Sequence, residues 1–220
     1  MNERLKKRIH DRKNNGTHRQ LNHFKSSIDF FSNDYLGLSK DSNAEVLPSK
    51  GSTGSRLLSG NSVWAEECEK QLAIFYESES ALIFNSGYDA NIGLISSVAL
   101  RGDTILYDEY IHASSRDGVR LSFANSISFK HNDVQDLQNR IQGIKGTIYV
   151  LVESLYSMDG DMAPLTSIQK ICREFSACLI VDEAHACGVF GKDGRGIAHA
   201  KSLHKDVFCR IVTFGKAYGY

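Results

Sequence analysis

From Trp64 onward the chain alternates two patterns. Short apolar or β-branched runs occur at Ala81–Phe84, Thr104–Tyr107, Ser126–Phe129, Thr147–Val152, Cys178–Val181 and Cys209–Thr213. Between them lie longer stretches with the apolar spacing of helices. This rhythm predicts βαβ units, hence an α/β fold with a mostly parallel sheet sandwiched by helices. The runs at 147–152 and 178–181 lack polar alternation, so they are expected to be central strands covered on both faces. Upstream, Leu5 and Ile9 are spaced for a short helix with a thin apolar stripe. Ile28–Leu38 reads as an extended apolar segment ending in a polar turn, and Gly51–Gly60 as a flexible, glycine-punctuated loop. The expected division is an N-terminal arm, 1–50, and a main domain, 51–220.

With 41% apolar residues in 220, one sizeable core is expected. Lys plus Arg and Asp plus Glu stand at 26 each, so no net field gathers a polyanion, and nucleic acid is not an expected partner. The five cysteines, at 68, 172, 178, 187 and 209, form no C-x-x-C pair and are odd in number. They read as small buried hydrophobes, with neither a disulfide framework nor a metal site expected. The N-terminus lacks the apolar stretch of a secretion signal, and no apolar run approaches a membrane span, so a cytoplasmic protein is expected.

In parallel sheets ligands gather beyond the carboxyl ends of the strands. The residues following the predicted runs are polar and reactive: Asn85–Asn91, Asp108–His112, Glu153–Ser157, Asp182–His185 and Phe214–Lys216. Asp182 and Lys216 end successive predicted strands and should face one crevice. A lysine that can form an imine and a carboxylate that can oppose a ring nitrogen are the two groups pyridoxal 5'-phosphate (PLP) requires. Ser86-Gly87-Tyr88 opens a helix directly after a strand, where backbone N–H groups suit the cofactor phosphate, and the Thr213 hydroxyl could add to them. His112 is placed to stack on the ring and His185 to reach its phenolic oxygen. Each alone has an ordinary structural explanation: Asp182 as a helix cap, Lys216 as a surface lysine, the histidines as packed side chains. Together on neighbouring strand ends they favour chemistry. Leu179–His185 also matches the strand-end Asp-Glu of helicase-like ATPases, but the required G-x-x-x-x-G-K-[ST] loop is missing from the sequence.

These residues, with Ser32–Leu38, Gly54–Gly60, Ser86–Asn91, His112–Ser114, His131–Asp133, Glu153–Asp161, Gly194–Gly196 and Thr213–Lys216, resemble the α-oxoamine synthase family of PLP enzymes from about Ile28 onward. The resemblance implies an aspartate-aminotransferase-like PLP-binding large domain, with the C-terminal small domain outside these residues. It implies Lys216 as the Schiff-base lysine, Asp182 at the ring nitrogen, His185 at the phenolic oxygen and His112 on the ring face. Phosphate contacts are implied from Ser86, Gly87, Tyr88 and Thr213, a polar contact from Ser157, and a substrate-carboxylate contact from Asn33. The implied reaction condenses a small amino acid with an acyl-CoA thioester and releases carbon dioxide, giving an aminoketone. Ser32–Leu38 and Thr213–Lys216 look most like the alanine-using, biotin-precursor branch, with glycine- and serine-using branches as alternatives. A homodimer is implied, with the Gly54–Gly60 loop reaching a neighbouring site. An expectation of another class is a non-catalytic chain that pairs with a full-length partner.

Overall fold

The computed structural model describes residues 3–18, 32–38 and 54–220. The chain divides into two compact units, Met1–Ser32 and Asn33–Tyr220. The expected boundary at residue 50 lies outside the described residues, as do Ile28–Phe31 and Gly51–Thr53.

The first unit contains helix α1, Glu3–Asn14. Arg12 and Lys13 lie in its last turn, where cations complement the helix dipole. Gly16 adopts φ 67°, and the Thr17 N–H returns to the Arg12 carbonyl at 2.9 Å, closing the C-terminus as a Schellman motif. Ile9 is exposed.

The second unit runs α2 (Val63–Phe75), α3 (Gly87–Val98), β1 (Thr104–Asp108), α4 (Ala113–Leu121), β2 (Asn125–Phe129), α5 (Val134–Ile141), β3 (Ile148–Glu153), α6 (Leu165–Glu174), β4 (Cys178–Asp182), α7 (Ile197–Ala200) and β5 (Cys209–Ile211). The strands form one five-stranded parallel sheet in the order β2-β1-β3-β4-β5. Every residue of β3 is buried, as the lack of polar alternation predicts. Its side chains alternate between two cores. Val150 and Val152 join Leu137, Leu165 and Ile168 of α5 and α6, whereas Tyr149 and Leu151 join Ile95 of α3 and Val119 of α4. Burying a side chain of this size contributes about 1.5–3 kcal/mol, so the two helical layers fix which strand ends come together.

One expected strand is not formed. Ala81–Phe84 carries no ladder hydrogen bond, and Leu82, Ile83 and Phe84 are exposed. Its backbone is held from the side: Glu69 accepts the Ile83 N–H at 2.9 Å while it is gripped through both oxygens by Arg56 at 2.5 and 2.9 Å. A run of apolar residues becomes a strand only against another strand, and among the described residues the outer edge of β5 pairs with none. A cavity of about 1350 Å³ is lined by Ala81–Phe84 and Val207–Thr213. The last expected strand, 209–213, is correspondingly shorter. Of the cysteines, Cys172 and Cys187 are buried, but Cys68 is exposed, which corrects the uniform reading of all five as buried.

Candidate active site

Parallel register brings acids together. Glu153 of β3 is the direct cross-strand neighbour of Asp182 of β4, and Asp108 ends the next strand over. All three are buried. Asp108 is satisfied locally, accepting from the N–H groups of Tyr110 and Asn132 at 2.8 Å and lying 2.9 Å from His131 Nδ1. Glu153 is pushed up to about 8 by burial and then by the neighbouring Asp182 carboxylate, so it holds a proton at neutral pH.

Asp182 is oriented by both its oxygens. Oδ1 accepts the Ala184 N–H at 2.9 Å and Oδ2 accepts Asn91 Nδ2 at 2.9 Å. Asn91 is itself locked, its Oδ1 accepting the Ser115 hydroxyl at 3.0 Å. This chain of contacts depends on close approach of α3 and α4. A Cβ on Gly118 would come within 2.9 Å of Ile95 Cβ and 3.0 Å of the Asn91 carbonyl. The next acid, Glu183, points elsewhere: it is fully buried and accepts the Ala198 N–H at 2.9 Å, with Arg210 Nη1 at 3.7 Å.

Lys216 Nζ lies 2.7 Å from His185 Nε2. On the far side of the same ring, Nδ1 is 2.7 Å from the Tyr35 hydroxyl, which donates to Asn33 Oδ1 at 2.9 Å. Because the Tyr35 proton is committed to Asn33, Nδ1 carries the ring proton and donates, leaving the Nε2 lone pair to accept from Lys216. The ring is therefore neutral in this network. Burial, then the Lys216 charge, push its pKa down to about 4. Burial also lowers the Lys216 pKa, opposed chiefly by the charge of Asp182. An amine shifted this way offers more of its nucleophilic, neutral form near pH 7.

Ser86 caps α3, its hydroxyl accepting the Asp89 N–H at 3.0 Å. Gly87 follows, and a Cβ placed there would meet Thr213 Cβ and Oγ1 at 3.6 Å, an ordinary contact. Neither packing nor a left-handed backbone requires glycine at 87; its effect is to keep the first residue of α3 bare of a side chain beside the Thr213 hydroxyl. That space suits a phosphate group. His112 is exposed at the start of α4, where its Nδ1 accepts the Ser114 N–H at 3.2 Å. Tyr88 packs edge-on to His112 at 6.3 Å and donates its hydroxyl to Asp117. Ser157 is exposed on the turn after β3, and no described hydrogen bond joins it to Asp182, His185 or Lys216.

The structure thus joins Lys216, His185 and Asn33 in one network and places Gly87 against Thr213. It also brings in Tyr35, Asn91 and Glu153, whose roles sequence reasoning missed. All three stand inside motifs noted in the sequence, but their partners lie 150, 91 and 29 residues away.

Comparison with known proteins bears on what this arrangement serves. The sequence matches the profile described as aminotransferase class I and II over residues 25–220. A putative 8-amino-7-oxononanoate synthase from Methanococcus vannielii is 41% identical over 226 residues, covering 99% of this chain and 61% of the relative. A serine palmitoyltransferase from Caulobacter vibrioides is 42% identical over 197 residues, covering 85% and 49%. Among solved structures, a serine palmitoyltransferase from S. paucimobilis with bound PLP superposes with a TM-score of 0.86 at 30% identity, covering 99% of this chain and 60% of that one. The chain spans between half and about three fifths of the length of these proteins.

Proposed function

The chain belongs to the class I and II aminotransferase family, and from that premise we propose that it binds PLP on Lys216 and serves an α-oxoamine synthase reaction. In that reaction a small amino acid, with alanine favoured, is condensed with an acyl-CoA thioester. The α-carbon bonds to the acyl carbonyl carbon, the thiol leaves, and the amino-acid carboxylate departs as carbon dioxide. The observation that carries the reading is the half-buried Lys216 Nζ, held 2.7 Å from a neutral His185 and near enough to Asp182 for its charge to act on the amine.

When bound, PLP supplies an electron-accepting ring that takes up the charge left as a bond to the amino-acid α-carbon breaks. The groups of the chain fit it. Asp182, fixed by Asn91 and Ala184, would hold the ring nitrogen, and a protonated Glu153 beside it leaves one negative charge for that task. Gly87, Ser86, Tyr88 and Thr213 would hold the phosphate, His112 would cover one ring face, and His185 would contact the phenolic oxygen. Ser157 and Asn33 would contribute polar contacts, Asn33 toward the substrate carboxylate. Lys216 Nζ would hold the cofactor and would take the α-proton, and its lowered pKa keeps more of it in the neutral, proton-accepting form near neutrality. Exposed Leu57 and Leu58 in the Ser55–Gly60 turn support a homodimer in which this turn meets a second subunit.

The test is borohydride reduction of PLP-treated protein followed by peptide mapping, with turnover measured for alanine and a pimeloyl thioester, glycine and acetyl-CoA, and serine and palmitoyl-CoA. A pyridoxyl group on Lys216 is expected. Lys216→Ala should abolish both attachment and turnover while leaving the fold intact. Attachment at another lysine, or normal turnover by Lys216→Ala, would defeat the assignment.

A further inference from the structure

Away from the Lys216 crevice, three metal-ligating side chains converge from separate parts of the second unit. Glu77 follows α2 in a left-handed conformation, φ 51°, which turns its carboxylate toward α7. His199 lies in α7, and His204 follows in the succeeding turn. Their rings stack with centroids 4.5 Å apart and planes 27° from parallel. Both Nε2 atoms point at one carboxylate: His199 Nε2 is 3.4 Å from Glu77 Oε1 and His204 Nε2 is 3.2 Å from Glu77 Oε2. All three donor atoms lie within 4.8 Å of one another.

We propose that Glu77, His199 and His204 form a binding site for a first-row divalent transition-metal ion of the zinc type. The donor set is two imidazoles and one carboxylate, borderline ligands that suit zinc, cobalt or nickel better than calcium or magnesium. Ligands about 2.0–2.1 Å from a tetrahedral ion stand about 3.3 Å apart; His204 Nε2 already stands 3.2 Å from Glu77 Oε2, and the three donor atoms lie within 4.8 Å of one another. Little rearrangement is needed, because both histidine side chains are largely buried and stacked. Three protein donors leave a fourth position for water.

Two cations face the cluster and set the terms of binding. Arg195 Nη1 is 2.5 Å from Glu77 Oε1 and 3.4 Å from His199 Nε2, and its guanidinium is backed by the Phe75 ring at 5.1 Å. Arg210 adds positive charge on the His204 side. The ion would therefore use Glu77 Oε2, while Arg195 keeps Oε1 and orients the carboxylate from outside the coordination sphere. Repulsion from the two arginines makes this a site of moderate affinity, selective by geometry rather than charge.

The experiment uses untagged full chain freed of metal by chelation. Zinc binding is measured by calorimetry and cobalt binding by visible absorption, with Cys68 alkylated to remove its exposed thiol. One equivalent is expected, with the intense visible bands of four- or five-coordinate cobalt. His199→Gln and His204→Gln should each weaken binding at least about tenfold. In a second measurement that needs no variant, zinc should protect His199 and His204 of the wild-type chain from diethyl pyrocarbonate, as mapped by mass. Absence of stoichiometric binding, binding unaffected by either substitution, or equal modification with and without zinc would each overturn the proposal. PLP attachment at Lys216 should be unchanged by these substitutions, so this result and that of the cofactor assignment are read separately.

Discussion

Glu153→Gln converts the cross-strand pairing of two acids into a measurable pH dependence. Folding raises the Glu153 carboxyl from an ordinary 4.5 to about 8, through burial and the adjacent Asp182 charge. The folded chain therefore binds a proton that the unfolded chain releases, and stability falls as pH rises between those values. At 1.36 kcal/mol per pH unit the full effect is about 5 kcal/mol. Glutamine keeps the shape of the protonated acid and cannot ionise. The difference in unfolding free energy between variant and wild type should be small at pH 4, grow in favour of the variant up to about pH 8, and then level off. Urea unfolding in parallel at half-unit steps measures it. A constant difference across the range would refute the assignment of a proton to Glu153. A difference of the opposite sign would mean that the folded state holds the ionised form, with Lys216 as its counter-charge.

Other outcomes test the remaining geometry. Gly87→Ala should leave stability within about 0.5 kcal/mol, because the added methyl meets only an ordinary contact, yet weaken PLP affinity at least about tenfold in a fluorescence titration. Equal affinity would remove the phosphate from this position. Asp182→Asn removes a charge that raises the Lys216 pKa, so competitive acetylation of the cofactor-free chain should show Lys216 titrating at lower pH than in wild type. A shift to higher pH would contradict the arrangement. Gly118→Ala should cost about 1–3 kcal/mol by overpacking against Ile95. It should also weaken PLP binding by moving Asn91 off Asp182, and full affinity in a folded variant would show that the two are not linked.

The parallel sheet was legible because covered strands betray themselves: 148–152 shows no polar alternation, as two buried faces require. Ala81–Phe84 has the same local signature but no neighbouring strand among the described residues, and pairing is not a property of four residues. In the site, Lys216, Asp182 and His185 stand out because each follows an apolar run with a reactive side chain. Tyr35 and Asn91 do not, since an exposed tyrosine and a helical asparagine are ordinary until His185 and Asp182 are brought beside them. Glu153 was visible as a strand end, but its proton follows from register, which no single segment encodes. The Glu77, His199 and His204 cluster is likewise invisible in sequence, its first two members standing 122 positions apart.

The contact between Gly118 and the Asn91 carbonyl has a consequence for the way variation in this chain will be read. Asp182 is linked to position 118 through one residue, Asn91, and the helix that carries it. A mutational scan scored on turnover alone will flag a glycine on the back of a helix as though it touched substrate. A scan scored on abundance will flag it as a packing site. Only the two scores together will show that the spacing of a helix pair, adjustable by one methyl group, tunes where a charge points.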